Sequence, residues 1–140
     1  MADCALLQPP GITSMPTPPE LSLVTTTVAT PADARRLAQA VLQARVAACV
    51  QVQAITSHYR WQGALHEASE QRLDCKTTAQ AVPALLALLR AQHPYDLPEL
   101  VVQPLQASAD YAGWVEQAVA QGGVPAGGQE AGDAAAPGAV

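Results

Sequence analysis

The side chains with the best claim to chemistry stand in one short run. His93, Asp96 and Glu99 fall three residues apart, across a stretch that Pro94 and Pro98 stiffen. An imidazole with carboxylates suits Cu²⁺ or Zn²⁺, with further ligands supplied by water or by other parts of the molecule. The same residues admit a plainer reading, in which His93 closes a helix favourably against its dipole and Glu99 caps or pairs at a strand start. A second group is Lys76-Thr77-Thr78, at a change from strand to helix. Helix amides and a lysine together favour a carboxylate or phosphate there, unless Lys76 is neutralised by Glu99 or Glu70. Tyr59, Trp61, Tyr95 and Trp114 make up most of the aromatic content and lie mainly in or beside turns. Such side chains line pockets or fill subunit interfaces, and the interface is the favoured reading here. His58 and His66 flank a turn and read as solvated.

Nucleophilic catalysis does not assemble from this sequence. A triad needs Ser or Cys beside a base and a carboxylate. Cys49, in Ala47-Ala48-Cys49-Val50, and Cys75, alternating with Leu73, both read as core positions. Gly63 and Gly113 are the glycines of the central region, so no glycine-rich phosphate cradle follows a strand. The expectation is a protein that binds and does not catalyse.

The elements that must position these groups follow from periodicity. Leu21–Thr27 is rich in β-branched residues and reads as a strand. Thr30 as N-cap, Pro31 at the first turn and Asp33 behind it open a helix, whose stripe runs through Ala34, Leu37, Ala38, Val41 and Leu42. Residues 47–59 alternate as a long half-buried strand, residues 61–63 turn, and a second strand covers 71–76 with Arg72, Asp74 and Lys76 on one face. Thr77 with Gln80 matches a capping box for a helix carrying Val82, Leu85, Leu86 and Leu89, its first turn perturbed by Pro83. That helix stops before His93-Pro94. Residues 99–105 form a fourth strand, placed at an edge by Pro104, and Ser108 caps a last helix bearing Tyr111, Trp114, Val115 and Ala118. The order β-α-β-β-α-β with a terminal helix is an α+β, ferredoxin-like split βαβ: an antiparallel sheet with helices on one face. A bare second face and a long hairpin call for a partner, most economically a second copy.

Composition sets the outer limits. The chain has 140 residues and a formal charge of −5, from 7 Lys and Arg against 12 Asp and Glu. Residues 1–20 hold five prolines and residues 121–140 hold six glycines, so both read as disordered tails around a domain at 21–120. All the basic residues lie inside that domain, which is nearly neutral. No broad basic face for nucleic acid and no apolar run of membrane-spanning length are evident, so neither partner is expected. Three separated cysteines (Cys4, Cys49, Cys75) suit reduced thiols in the cytoplasm.

Five motifs stand in register with a known family. Ala47-Ala48-Cys49, Tyr59-Arg60-Trp61-Gln62-Gly63, Lys76-Thr77-Thr78, His93-Pro94-Tyr95-Asp96-Leu97-Pro98-Glu99, and Tyr111 with Trp114 resemble the CutA divalent-cation-tolerance family across residues 21–120. The resemblance implies a ferredoxin-like homotrimer, similar in architecture to PII-type signalling trimers, associated with tolerance to copper and other divalent cations, and no catalytic activity. It also implies a metal site of cysteine, histidine and glutamate, but Thr26 and Gln92 stand at the cysteine and histidine positions. Glu99 remains, with His93 beside the changed position. On this reading Lys76, Thr77, Trp61, Tyr95 and Glu99 line a ligand cleft between subunits, and Glu99 and His93 are the candidate metal ligands. A signalling or scaffolding trimer that takes a small anion or a partner segment is the competing expectation.

Overall fold

The computed structural model describes residues 20–120, and the two proposed tails lie outside them except for Glu20, which opens the first strand. Four strands and three helices follow the expected order: β1 (Glu20–Val28), α1 (Pro31–Gln43), β2 (Cys49–Trp61), β3 (Ala64–Thr77), α2 (Val82–Gln92), β4 (Val101–Gln106) and α3 (Ala109–Ala120). A 3₁₀ turn at Ala79–Ala81 precedes α2. The sheet order is β2-β3-β1-β4, with every neighbouring pair antiparallel. β4 is an edge strand, and Pro104 is tolerated there because an edge leaves room for a missing backbone donor.

Local signals set the helix ends. Thr30 Oγ1 accepts the Asp33 amide at 3.1 Å, and Pro31 sits where its missing N–H would be idle. α1 ends with Arg45 at φ 59°, its amide returning to Leu42 O and the Val46 amide to Val41 O. This is the Schellman pattern, with arginine where glycine is usual. The Arg45 guanidinium reaches the Ala118 carbonyl near the end of α3 at 3.5 Å, which ties the two helix ends together. Ser108 caps α3 through the Tyr111 amide.

Strand alternation divides the buried residues between two faces. Val24, Val28, Leu73 and Cys75 pack with Leu37 and Val41 of α1 and Leu85 and Leu89 of α2, and all eight are fully buried. Leu21 points to the other face and packs under Ala112 and Val115 of α3. The helices are therefore not all on one face: α3 covers one end of the face that was expected to be bare. The terminal helix could not be assigned a side from its own apolar stripe, because either face offers apolar neighbours.

Besides β4, which begins at Val101 and not at Glu99, three boundaries differ from expectation. β3 begins at Ala64, not at Gln71, because the segment 64–70 is held by pairing with β2 and not by burial alternation. The capping box at Thr77 does not form. Thr77 is the last residue of β3, fully buried, and its hydroxyl donates to Val46 O at 2.8 Å; Thr78 takes over as cap of the 3₁₀ turn that Pro83 forces ahead of α2. Third, β2 runs to Trp61 and is only partly buried: Val50 joins the core, while Val52 is 46% exposed.

The register gives the hairpin its shape. β1 pairs with β3 only over Gln71–Thr77, so Ile55–Trp61 and Ala64–Glu70 continue beyond it as a two-stranded arm roughly 20 Å long. A two-residue turn closes the arm, with Gln62 at φ 53° and Gly63 at φ 80°. Both residues have the positive φ that type I′ hairpin turns require. A Cβ on Gly63 would meet nothing within 4 Å, so its substitution should act through the backbone alone. Gly63→Ala is expected to lower stability by about 1 kcal/mol, and Gln62→Asn to raise it by a few tenths of that. Urea unfolding of the two variants checks the opposite signs.

Candidate functional site

The residues singled out by chemistry fall into two groups along β3. Lys76 lies near its end, opposite Cys49, with its ammonium 5.6 Å from the centre of the Tyr111 ring on α3. It forms no ion pair with Glu70 or Glu99 among the described residues. Tyr111 also lies against Cys49, and burial followed by that neighbour raises its phenol above the ordinary value. Cys75 points to the opposite face, into the core, where burial and then Asp74 push its thiol up to about 12. That thiol is inert packing.

The strand-to-helix junction is less favourable to an anion than its sequence suggests. A groove of about 440 Å³ opens there, lined by Thr78, Gln80, Ala81, Glu116, Val119 and Ala120. Its charged group is the Glu116 carboxylate, while Lys76 faces Tyr111. Thr77 contributes no free hydroxyl, and the Ala81 amide is already bonded to Thr78.

The second group surrounds the loop after α2. Tyr95 donates its hydroxyl to Glu70 Oε2 on β3 at 2.7 Å. Burial, reinforced by that carboxylate, raises the Tyr95 phenol well above its ordinary value. His93 has both ring nitrogens engaged. Nδ1 accepts the Tyr95 amide at 3.1 Å, which leaves Nε2 to carry the proton toward Thr26 Oγ1 at 2.9 Å. The Arg36 guanidinium donates to Gln92 O at 3.2 Å and holds the end of α2 against α1. Glu99 is exposed beyond this cluster.

Trp61 is at the far end, 44% exposed at the tip of the arm, beside Tyr59 stacked on His66 at 5.4 Å. The His66 ring donates to the Trp61 carbonyl at 3.3 Å. The 13 residues of β2 separate Trp61 from the level of Lys76, roughly 40 Å. Tyr95 meets β3 at Glu70, roughly 20 Å short of Lys76. One chain therefore does not bring Lys76, Tyr95 and Trp61 to a common place. Among the described residues, no three His, Cys, Asp or Glu side chains converge to hold a metal ion.

Two parts of this arrangement were invisible in the sequence. Thr26 and His93 are far apart in the chain; the family resemblance puts Thr26 and Gln92 in one site, but nothing in either local sequence marks Thr26 and His93 as hydrogen-bond partners. Glu70 reads in the sequence as a partner of Lys76 and instead serves Tyr95. One local signal was available: a histidine two residues before an amide at a helix end can accept that amide, as Asn and Asp do in turns.

Residues 22–118 match the protein family described as CutA1 divalent ion tolerance protein. The chain is 42% identical over 86 residues to the divalent-cation tolerance protein CutA of Thermus thermophilus, covering 60% of this chain and 84% of that protein. It is 41% identical over 86 residues to the mouse protein CutA, spanning 60% of this chain and about half (49%) of that protein. Among solved structures, CutA from Synechococcus elongatus superposes with a TM-score of 0.69 at 42% identity, covering 71% of this chain and 90% of that one. CutA1 from Oryza sativa gives a TM-score of 0.69 at 30% identity, covering 74% and 96%.

The environment of His93 has a consequence for stability. Burial lowers its pKa, with Thr27, Asp33 and Glu70 opposing and Arg36 assisting. The unfolded imidazole takes up its proton near pH 6.5, while the folded one resists until lower pH. Its contribution to stability is therefore complete above about pH 6.5 and declines as pH falls below that value. From pH 7.5 to 5, the wild type should lose more stability than His93→Asn, which cannot titrate. Urea midpoints of the two proteins across that range check the difference.

Proposed function

The chain belongs to the CutA1 divalent ion tolerance protein family, and from that premise we propose that it works as a cytoplasmic homotrimer in the response to copper or other divalent cations. Its ligand is held in clefts that exist only between copies. The observation that carries this reading is the two-stranded arm. Two strands alone are marginal in water, and this arm bears Tyr59, Trp61 and Leu65, the last 75% exposed. A neighbouring copy would cover these apolar groups, and it could bring one chain's Trp61 close to another's Tyr95 or Lys76. Assembly thus answers both the exposed arm and the separation of the site residues. Cys49 and Cys75, on opposite faces of the sheet, cannot bridge each other within a chain, which fits a reducing compartment.

For the cation, Glu99 is the ligand with the strongest support, because its carboxylate is exposed and has no partner among the described residues. The remaining ligands would come from water or a neighbouring copy. A second reading, a PII-like signalling or scaffolding trimer that takes a small anion or a partner segment, rests on Lys76, whose ammonium lies over an aromatic ring and forms no ion pair among the described residues.

Native mass spectrometry with and without Cu²⁺ tests the assembly and the cation together. A trimer gaining a whole number of ions per subunit is the expected result, and a monomer would remove the basis for clefts. In calorimetric titration, Glu99→Gln should weaken Cu²⁺ binding about tenfold, or about 1.4 kcal/mol. Lys76→Ala should leave that titration unchanged. If Lys76→Ala instead removes binding of inorganic phosphate while Glu99→Gln leaves Cu²⁺ binding intact, the anion reading replaces the cation one.

A further inference from the structure

Three hydrogen bonds converge on the short segment between α2 and the approach to β4, and each comes from a different element. Arg36 of α1 donates to Gln92 O, His93 donates from Nε2 to Thr26 of β1, and Tyr95 donates to Glu70 of β3. Between the last two, the Tyr95 amide returns to His93 Nδ1, and the two rings lie with centroids 5.0 Å apart. Thr26 is fully buried, so its hydroxyl has no water to exchange for the imidazole. Pro94 and Pro98 leave the segment few backbone torsions of its own.

A family concerned with divalent cations invites histidine ligation here, but the donor set does not fit it. A metal takes a ring nitrogen through its lone pair. In this tautomer the lone pair is on Nδ1, where the Tyr95 amide already occupies it, and Nε2 presents a hydrogen to Thr26. Ligation at either nitrogen would break one bond and leave a half-buried N–H or a buried hydroxyl without its partner. The nearby Thr26 oxygen is a neutral hydroxyl, a weak substitute for a thiolate or carboxylate.

We infer that His93 is a positioning residue and not a cation ligand: with both ring nitrogens committed, it joins Tyr95 in a clamp that fixes the His93–Tyr95 end of the segment leading to Glu99 against β1 and β3. The clamp is independent of whether Glu99 binds a cation. Its central element is the Nδ1 acceptor two residues before an amide, the position an asparagine side-chain oxygen fills in an Asx turn. Asparagine is therefore the conservative replacement, and alanine is the disruptive one.

The test is nuclear magnetic resonance on the full chain. Long-range ¹H–¹⁵N correlations should show His93 as the Nε2–H tautomer, with ring nitrogen shifts unchanged on adding Zn²⁺ as a diamagnetic probe. Hydrogen exchange at the Tyr95 amide should speed up at least about tenfold in His93→Ala and return to within about threefold of wild type in His93→Asn. A Zn²⁺-dependent shift of the His93 ring nitrogens would overturn the inference, as would an unchanged Tyr95 amide in His93→Ala. If His93→Ala does not fold, the tautomer and the Zn²⁺ response of the wild type decide by themselves. Loss of Cu²⁺ binding in Glu99→Gln bears on the cation reading alone.

Discussion

The pairing of β3 with β1 over Gln71–Thr77 is the constraint on which the rest of the structure depends. Because successive side chains alternate, this register sends Leu73 and Cys75 to the face of α1 and α2, beside Val24 and Val28. A slip of one residue would drive Asp74 and Lys76 into that core and expose Leu73 and Cys75. The same register determines where β1 stops, and therefore where the hairpin continues as two strands. It also places Thr26 within reach of the loop after α2. Core, arm and loop position all follow from one ladder.

The charges that alternate along β3 are not left to solvent. Asp74 accepts from Thr25 at 2.7 Å and from Arg72 Nε at 3.2 Å, and Lys76 packs over Tyr111. The face opposite α1 and α2 is thus a polar surface with internal partners, capped at one end by α3. Hydrogen-bonded polar groups of this kind can be covered by another protein surface at little cost, whereas unpaired ones cannot. The arm, in contrast, offers aromatic and aliphatic groups with few partners of their own. The two surfaces differ in chemistry, and the arm is the part whose burial is most favourable.

Helix starts and stops were readable where the signal was local. Thr30, Pro31 and Asp33 opened α1 as expected, His93-Pro94 closed α2, Ser108 capped α3, and Pro104 lay on an edge strand. The failures share a cause. Thr77 matched a capping box, but a buried strand end claimed its hydroxyl first. The start of β3 was missed because residues 64–70 pair without being buried, so they lack the alternation that marks a half-buried strand. The side of the sheet that α3 covers depended on Leu21, at the opposite end of the domain's sequence, which pairs with Leu105 under the helix.

Of the candidate site, the sequence by itself determined the chemical types: a carboxylate in Glu99, a lysine at the end of β3, aromatic side chains at a hairpin tip, and an imidazole at a helix end. It also determined the split βαβ order, because periodicity and capping are properties of neighbouring residues. Only the tertiary structure decided what those groups can do. It separated Lys76 from Trp61 along one hairpin, joined Thr26 to His93 across most of the domain, and gave Glu70 to Tyr95. These outcomes depend on strand register and on which donor reaches a buried acceptor first. Such competitions are settled between residues distant in the chain, and no local pattern encodes their result.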